Sequence, residues 1–284
     1  MKPRQAQSAT RMPEPLSYAS IMVHIDLDEA SPENRIWLAS GIAEQFGATL
    51  IGISGCMPVL PAIGSDDTGV ERQKIAAAIA VKEQLFARLV KDAQHPKEWR
   101  FALDSPNNVV PREARAADLV VIGKDRTSND PTRAIDPATT ILRMGRPVLT
   151  VPHSVSSLKP KRVLVGWQDS RESRRAIQDA LPLLQNADEV LLTQVCDLPP
   201  AEGAKTAISD VAQYLIRHRV TASAGVMLKA GGTTAEELMR VAQDEGVDLI
   251  VAGAYGHSRL GEWVFGGVTR ELLASSPVCC LFSH

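Results

Sequence analysis

Short apolar runs typical of buried β-strands alternate along this chain with longer stretches whose apolar residues recur at helical spacing. The strand-like runs of the first half are SIMVHIDLD, ATLIGISGCM, WRFALDS, DLVVIG and PVLTVP, and those of the second half are KRVLVGW, DEVLLTQVC, ASAGVMLKA, DLIVAGA and PVCCLFS. The predicted helices cover residues 31–47, 70–93, 111–117 and 137–144, then 170–185, 204–219, 234–246 and 268–276. Strands that alternate with helices predict an α/β fold with a mostly parallel sheet covered on both faces, because parallel strands need crossover connections.

The second half of the chain repeats the first, element for element. The stretch ADLVVIG at 117–123 corresponds to VDLIVAG at 247–253, and the closing strands begin at Pro147 and Pro277, so both pairs are offset by 130 residues. The predicted first strands, Ile21–Asp26 and Val163–Gln168, are offset by 142 residues. Equal spacing across a loop and a helix indicates an internal duplication, with extra length in the first half around its long second helix.

The duplication predicts two tandem domains, one over residues 18–153 and one over 161–284, with a linker near HSVSSLKPK. Right-handed crossovers and short connections restrict each domain to a five-stranded, doubly wound, Rossmann-like sheet. We expect the two domains to pack as an intramolecular pseudo-dimer through their last strands. Residues 1–17 are polar, contain prolines and lack the apolar region of a signal peptide, so they are expected to form a disordered leader.

Ligands of doubly wound sheets bind beyond the carboxyl ends of the strands, where the strand order reverses. In the second half this rule selects the stretch GAYGHSRLGEWVFGGVTRELL, which follows the fourth strand. Glycines let a ligand approach the backbone, and a helix that begins near Gly267 or Val268 offers unpaired N–H groups to phosphate oxygens. Thr269, His257 and Arg259 add a hydroxyl, an imidazole and a cation that suit an anion. The alternative interpretation is a tight loop that only allows close helix packing.

The glycine spacing excludes two common phosphate loops: there is no G-x-x-x-x-G-K-[ST], and no G-x-G-x-x-G opens a helix after the first strand. The spacing found, G-x-x-G followed by nine residues and a further G, resembles the nucleotide loop of the universal stress protein family. The same stretch is similar to the tandem two-domain bacterial members, and the resemblance covers nearly the whole chain as two copies.

The resemblance implies that glycines and a hydroxyl of this loop hold nucleotide phosphates and ribose, while residues at the ends of strands one and two surround the adenine. Carried over to this chain, the phosphate loop comprises Gly253, Gly256, Gly266, Gly267, Val268 and Thr269. Two positions depart from the family pattern. Gly267 stands where Ser or Thr is usual, with Thr269 two residues later, and Gln168 stands where strand one usually ends in an acidic residue. Gln168 brings no charge near a metal, so Mg-assisted binding has less support than binding of ATP or another adenine nucleotide.

Trp167 and Trp263 flank the predicted site, and each is open to two interpretations: stacking on a base, or burial in the core.

The first half keeps the acidic residue at the end of strand one but not the glycines of the loop, which is the reverse of the second half. Asp26 ends its first strand, but Arg126 replaces the second glycine, and Asp136-Pro137 replaces the glycine pair. An Asp N-cap followed by Pro begins a helix well and repels a phosphate there, so we expect the first half to have lost triphosphate binding. His24 is expected to be a core or interface residue.

Composition and the absence of certain motifs exclude several classes of protein. The 31 basic and 33 acidic residues give a net charge of −2, without the basic excess of a nucleic-acid-binding protein, and no apolar run is long enough to span a membrane. The four cysteines form no disulfide framework and are expected as buried thiols in a reducing cytoplasm. Neither metal-ligand spacing nor a G-x-S-x-G hydrolase motif is present.

The leading hypothesis is therefore an adenine-nucleotide-binding stress-response or regulatory protein that acts on an unidentified protein partner. Any ATP hydrolysis is expected to be slow, because no general base or charged metal ligand is evident near the phosphates. One alternative is an interaction scaffold that no longer depends on a nucleotide. Another is an enzyme of the related adenylating or pyrophosphatase folds, which the sequence GWQDSRES after strand one disfavours. Whether the chain pairs further into a homodimer stays open.

Overall fold

The computed structural model describes residues 15–58, 68–199, 202–256 and 266–284. The first half contains β1 (Ser20–His24), α1 (Glu33–Phe46), β2 (Thr49–Gly55), α2 (Thr68–Leu89), β3 (Lys97–Ala102), α3 (Pro106–Glu113), β4 (Leu119–Gly123), α4 (Pro137–Met144) and β5 (Val148–Val151). The second half contains β6 (Arg162–Gly166), α5 (Arg171–Leu184), β7 (Glu189–Cys196), α6 (Glu202–Arg217), β8 (Ala222–Leu228), α7 (Thr234–Asp244), β9 (Leu249–Gly253), α8 (Gly267–Ser275) and β10 (Cys279–Ser283).

The ten strands of the described ranges form one sheet in the order β3-β2-β1-β4-β5-β10-β9-β6-β7-β8. Within each half the strands are parallel, and the strand order reverses beside β1 in the first half and beside β6 in the second. The predicted fold class, two tandem five-stranded doubly wound units, is confirmed. The extra length predicted in the first half is also present, since α2 has 22 residues whereas α6 has 16.

The two halves join where β5 and β10 pair antiparallel, with Leu281 opposite Leu149 and Phe282 opposite Val148. Thr150 Oγ1 donates a hydrogen bond of 3.2 Å to the carbonyl of Cys280 across this seam. The expected pseudo-dimer through the last strands is therefore confirmed. Because the pairing is made by backbone hydrogen bonds, it turns two sheets into one without an exposed edge between them.

The sheet separates two apolar core layers. One layer lies under α1, α2, α5 and α6, and the other lies under α3, α4, α7 and α8. Cys279 belongs to the first layer and Cys280 to the second, as expected for neighbours on a strand. Burial raises the pKa of both thiols to about 12, so both stay protonated at neutral pH.

Residues at the end of the predicted leader are ordered against the second half. The backbone N–H of Leu16 donates to Gln185 Oε1 at 2.8 Å, and the Tyr18 hydroxyl donates to the carbonyl of Asp179 at 2.8 Å. Both acceptors belong to α5 or its C-terminal cap. These contacts hold Leu16 and Tyr18 against α5 of the second half, and the disordered leader stays a prediction. The remainder of that leader, residues 1–14, lies outside the described residues.

Two cations also cross the seam to helix C-termini. Lys124, directly after β4, donates from Nζ to the carbonyl of Ser276 at 3.1 Å and to that of Ala274 at 3.4 Å, at the end of α8. Arg175 of α5 donates to the carbonyl of Gly145, which caps α4, at 3.0 Å. Terminal carbonyls of helices carry partial negative charge, so each half stabilises a helix end of the other.

Matching glycines end β4 and β9, and each lies against a residue of the first helix of its own half. A Cβ built on Gly253 would lie 2.5 Å from the backbone N of Ser173 and 2.7 Å from the backbone C of Glu172, in α5. A Cβ on Gly123 would instead meet the guanidinium of Arg35 in α1, at 2.6 Å from Nη1. The glycine of the second half thus lies against the backbone of α5, whereas the glycine of the first half lies against the end of the Arg35 side chain.

This difference predicts unequal costs for the same substitution. We expect Gly253→Ala to lower the free energy of unfolding by about 3 kcal/mol, because helix backbone must move. Gly123→Ala should lower it by about 1 kcal/mol, because only the guanidinium end of Arg35, which is held by Glu29, has to shift. Urea denaturation monitored by circular dichroism measures both values, and each variant serves as the matched control of the other. Equal losses in the two variants would contradict this account of the packing.

Candidate functional site

The candidate site lies at the carboxyl ends of β6 and β9, next to the reversal of strand order in the second half. The structure describes the segment Gly253–Gly256 and the helix α8 that follows the loop. Residues 257–265 lie outside the described residues, so His257, Arg259 and Trp263 remain predictions without a described position. The described part is nevertheless enough to define what surrounds the first two glycines and the last two.

Two helix N-termini meet on the segment Gly253–Gly256. The first turn of α5 packs against Gly253, and its N-cap Ser170, which accepts a hydrogen bond from the N–H of Ser173, lies beside Gly256. A Cβ on Gly256 would lie 3.2 Å from Ser170 Oγ. On the other side, a Cβ on Gly266, the N-cap of α8, would lie 3.5 Å from the Cα of Tyr255. Two positive helix ends at one backbone segment favour an anion there.

The N-terminus of α8 carries no side-chain cap, because Gly266 has no side chain to accept from the first turn. Gly267 is exposed, and a Cβ there would approach only Glu271 Oε1, at 3.8 Å, among the described residues. Packing therefore does not require glycine at this position. Val268 follows, half-buried, in the first turn. The backbone N–H groups of this turn are the phosphate donors that the sequence predicts.

Thr269 has a structural task that the sequence analysis did not foresee. Its side chain is 2% exposed, and its Oγ1 accepts a hydrogen bond of 3.3 Å from the backbone N–H of Tyr255. Tyr255 adopts a left-handed backbone conformation with φ of 59°, which is uncommon for a residue with a side chain. The hydroxyl predicted to compensate for Gly267 therefore holds the turn between the glycines, and it is not directed at solvent.

Glu172 is the functional candidate that sequence reasoning missed. It is 5% exposed, and its Oε2 would lie 2.9 Å from a Cβ on Gly256. Burial raises the pKa of Glu172, but hydrogen bonds from Arg171 and Ser170 outweigh it, so the pKa lies below its usual range. A carboxylate in the first turn of α5 thus already lies beside Gly256 at neutral pH. Its place in the first turn after the N-cap Ser170 was the signal available in the sequence.

The two residues predicted at the end of strand one lie in different surroundings. Trp167 is 5% exposed and belongs to the core layer beneath α5 and α6. Gln168 is exposed, and its carbonyl accepts a hydrogen bond of 2.7 Å from the N–H of Ser170. The structure buries Trp167 in the core, which is the second of its two interpretations. Stacking on a base at the glycine loop would require the indole to leave that layer.

In the first half the corresponding loop folds onto the end of β1. Asp26 is 3% exposed, and its carboxylate accepts hydrogen bonds from Thr127 Oγ1 at 2.9 Å and from the N–H of Ile135 at 3.2 Å. Arg133 of the same loop pairs with Asp28 and Glu71. The carboxylate of Asp26 is therefore satisfied by the chain itself.

His24, the neighbour of Asp26, is fully buried, as predicted for a core residue. Its Nε2 lies 3.5 Å from Asp26 Oδ1, but burial outweighs this carboxylate and lowers the pKa of His24, so the imidazole is neutral. Across the described ranges no group of three or more His, Cys, Asp or Glu could hold a metal ion. Within the same ranges, no helix is both apolar and long enough to cross a bilayer.

Comparison with known proteins finds a family match in the second half. Residues 159–283 match the model of the universal stress protein family. A stretch of 45 residues is 40% identical to a universal stress protein of Methanocaldococcus jannaschii; it represents 16% of this chain and spans only 28% of that relative.

Two solved structures share the fold over both halves, at 14% sequence identity each. A universal stress protein from Archaeoglobus fulgidus has a TM-score of 0.73, with coverage of 93% of this chain and 96% of that one. A putative universal stress protein from Pseudomonas aeruginosa has a TM-score of 0.58, with coverage of 94% and 93%. The second half therefore matches the universal stress protein family over residues 159–283, and both halves share the fold of these two solved structures.

Proposed function

We propose that the second half binds ATP or another adenine nucleotide, with the phosphates at the N-terminus of α8. The observation that carries this proposal is the meeting of two helix N-termini, those of α5 and α8, on the segment Gly253–Gly256. The uncapped N–H groups at the start of α8 and the partial positive charge of both helix ends attract phosphate oxygens. Gly256 is exposed and has no Cβ between its backbone and a ligand.

Binding at this place supports a regulatory function rather than rapid catalysis. The bound nucleotide would alter the surface that the segment Gly253–Gly256 and the start of α8 offer to a protein partner. The family match over residues 159–283 supports a role of this kind in a stress response. The free cysteines, three of them buried, support a reducing cytoplasmic location.

The first half, in this proposal, has given up triphosphate binding and serves as a structural partner. Asp26 is satisfied by Thr127 and Ile135, and Asp136 stands at the N-cap of α4, where it brings negative charge to the helix end. The division of the chain into domains 18–153 and 161–284, joined by a short linker, is part of this proposal. Nucleotide binding would then have a stoichiometry of one per chain.

A nucleotide-independent scaffold is the second candidate, and Glu172 is the observation that favours it. Its ionised carboxylate lies beside Gly256 and neutralises part of the positive field that a phosphate would need. If this charge dominates, the helix ends are already satisfied and no nucleotide binds. The two candidates therefore differ in the sign of the net electrostatic potential at the segment Gly253–Gly256. Two substitutions can test this difference.

The first test introduces a second carboxylate at the glycine turn. We expect isothermal titration calorimetry to give saturable ATP binding to the wild-type protein and at least a tenfold weaker affinity for Gly256→Asp, because the new side chain brings charge and bulk beside Glu172 Oε2. Arg126→Asp is the matched control, since Arg126 occupies the corresponding position of the first half and lies 43% exposed. It should leave the affinity unchanged.

If calorimetry detects no ATP binding to wild-type protein that has been freed of co-purified nucleotide, the result supports the scaffold. Equal weakening by Gly256→Asp and Arg126→Asp would instead assign the site to both halves. A mass spectrum of the purified protein shows whether a nucleotide is already bound before the titration.

The second test removes the resident charge. We expect Glu172→Gln to strengthen ATP binding about fivefold, because one like charge near the phosphates is lost while the shape of the side chain is kept. Glu245→Gln, an exposed carboxylate after α7 that pairs with Arg162, is the control and should have no effect. Weaker binding in Glu172→Gln would mean that this carboxylate assists the ligand, and our assignment of its role would be wrong.

A further inference from the structure

A cavity of about 460 Å³ lies between α5 and α6, on the helical face of the second half. Its walls are mostly apolar and include Trp167, Ile177, Ala207 and Val211, with Tyr214 at one side. This volume falls within the range of small-molecule sites, which are typically apolar pockets with a few polar groups. The cavity is lined by neither Gly253 nor Gly256, so it is separate from the proposed phosphate position.

Trp167, which lines this cavity, carries an indole N–H that is itself out of contact with solvent. The side chain is 5% exposed, and within the described part of the chain its Nε1–H finds no hydrogen-bond acceptor. Buried donors without acceptors are rare in folded proteins, and leaving one unpaired costs about 1–3 kcal/mol. A ligand that brings an acceptor to this N–H recovers that cost.

Charges at the mouth of the cavity restrict the ligand further. Asp169 and Arg174 form an ion pair with each other, at 2.6 Å between Asp169 Oδ1 and Arg174 Nη2. Asp210 is the third charged residue of the lining, and it is exposed. With the cation already paired, the remaining charge at the mouth is negative, which disfavours an anion.

We propose that the cavity between α5 and α6 binds a small, neutral, apolar molecule that carries a carbonyl acceptor for Trp167. The N–H is shielded from solvent, so the acceptor has to be carried in on an apolar body that parts the covering side chains. An aromatic ketone or amide has this chemistry. The site is independent of the nucleotide proposal, because its ligand contacts the helical face and carries no phosphate.

The neutral naphthyl ketone prodan is a suitable probe, since its fluorescence reports transfer into an apolar environment. We expect saturable binding to the full chain with a dissociation constant in the micromolar range. Ethylnaphthalene, which lacks the carbonyl, and the anion anilinonaphthalenesulfonate should each compete at least tenfold more weakly than unlabelled aromatic ketones. Added ATP should not displace the probe.

Two substitutions assign the binding to this cavity. Trp167→Phe keeps an aromatic ring but removes the donor, and it should weaken prodan binding about fivefold, the value of one hydrogen bond. Trp99→Phe is the matched control, because the Trp99 indole in β3 also has a buried N–H for which the described residues offer no acceptor, but it does not line the cavity. Ala207→Phe, which fills the cavity from α6, should abolish binding while circular dichroism and thermal unfolding verify the fold.

Three results would overturn the proposal. The first is the absence of saturable prodan binding to the wild-type protein. The second is unchanged affinity in folded Ala207→Phe, or equal effects of Trp167→Phe and Trp99→Phe. The third is displacement by ATP, which would make the cavity the base-binding end of a nucleotide site. Loss of ATP binding in the calorimetric experiments, with prodan binding intact, would affect the nucleotide proposal alone.

Discussion

The antiparallel pairing of β5 with β10 is the interaction on which the rest of this molecule depends. Each half alone would expose the backbone hydrogen-bonding groups of its last strand, and the pairing satisfies both edges at once. It also fixes the relative position of the halves, because a register shift by one residue would turn the buried side chains of β10 to the wrong faces. The helix contacts across the seam, from Lys124 and Arg175, follow from that register.

Much of this architecture could be predicted from the sequence because the two copies of the pattern can be checked against each other. The motif DLVVIG and its counterpart DLIVAG mark the fourth strand of each half, and the equal offset of the closing strands aligns them independently of any propensity. Strand ends were less accurate: the first strands of the two halves end at His24 and Gly166, two residues before the predicted ends. Asp26 and Gln168 therefore lie in loops, where their surroundings depend on tertiary contacts.

The site was predicted less completely, for a physical reason. Its location follows from topology, and its glycines follow from spacing, so both are readable from one chain. The task of each residue depends on neighbours from distant elements. Gly253 is needed because α5 passes close to it, Thr269 bonds the turn at Tyr255, and Glu172 reaches Gly256 from another helix. No local pattern encodes these three contacts.

Lys124 illustrates what covalent fusion of two copies makes available. In a symmetric dimer every substitution appears twice, so a side chain that closes one ligand site closes both. Here the loop that begins at Lys124 can diverge without its counterpart, and its ammonium group neutralises the carbonyl end of the very helix whose opposite end is proposed to meet phosphate. Lys124 of the first half thus stabilises α8 of the second half by its charge. Such a division of tasks requires two copies that can change independently, which a covalent duplication provides.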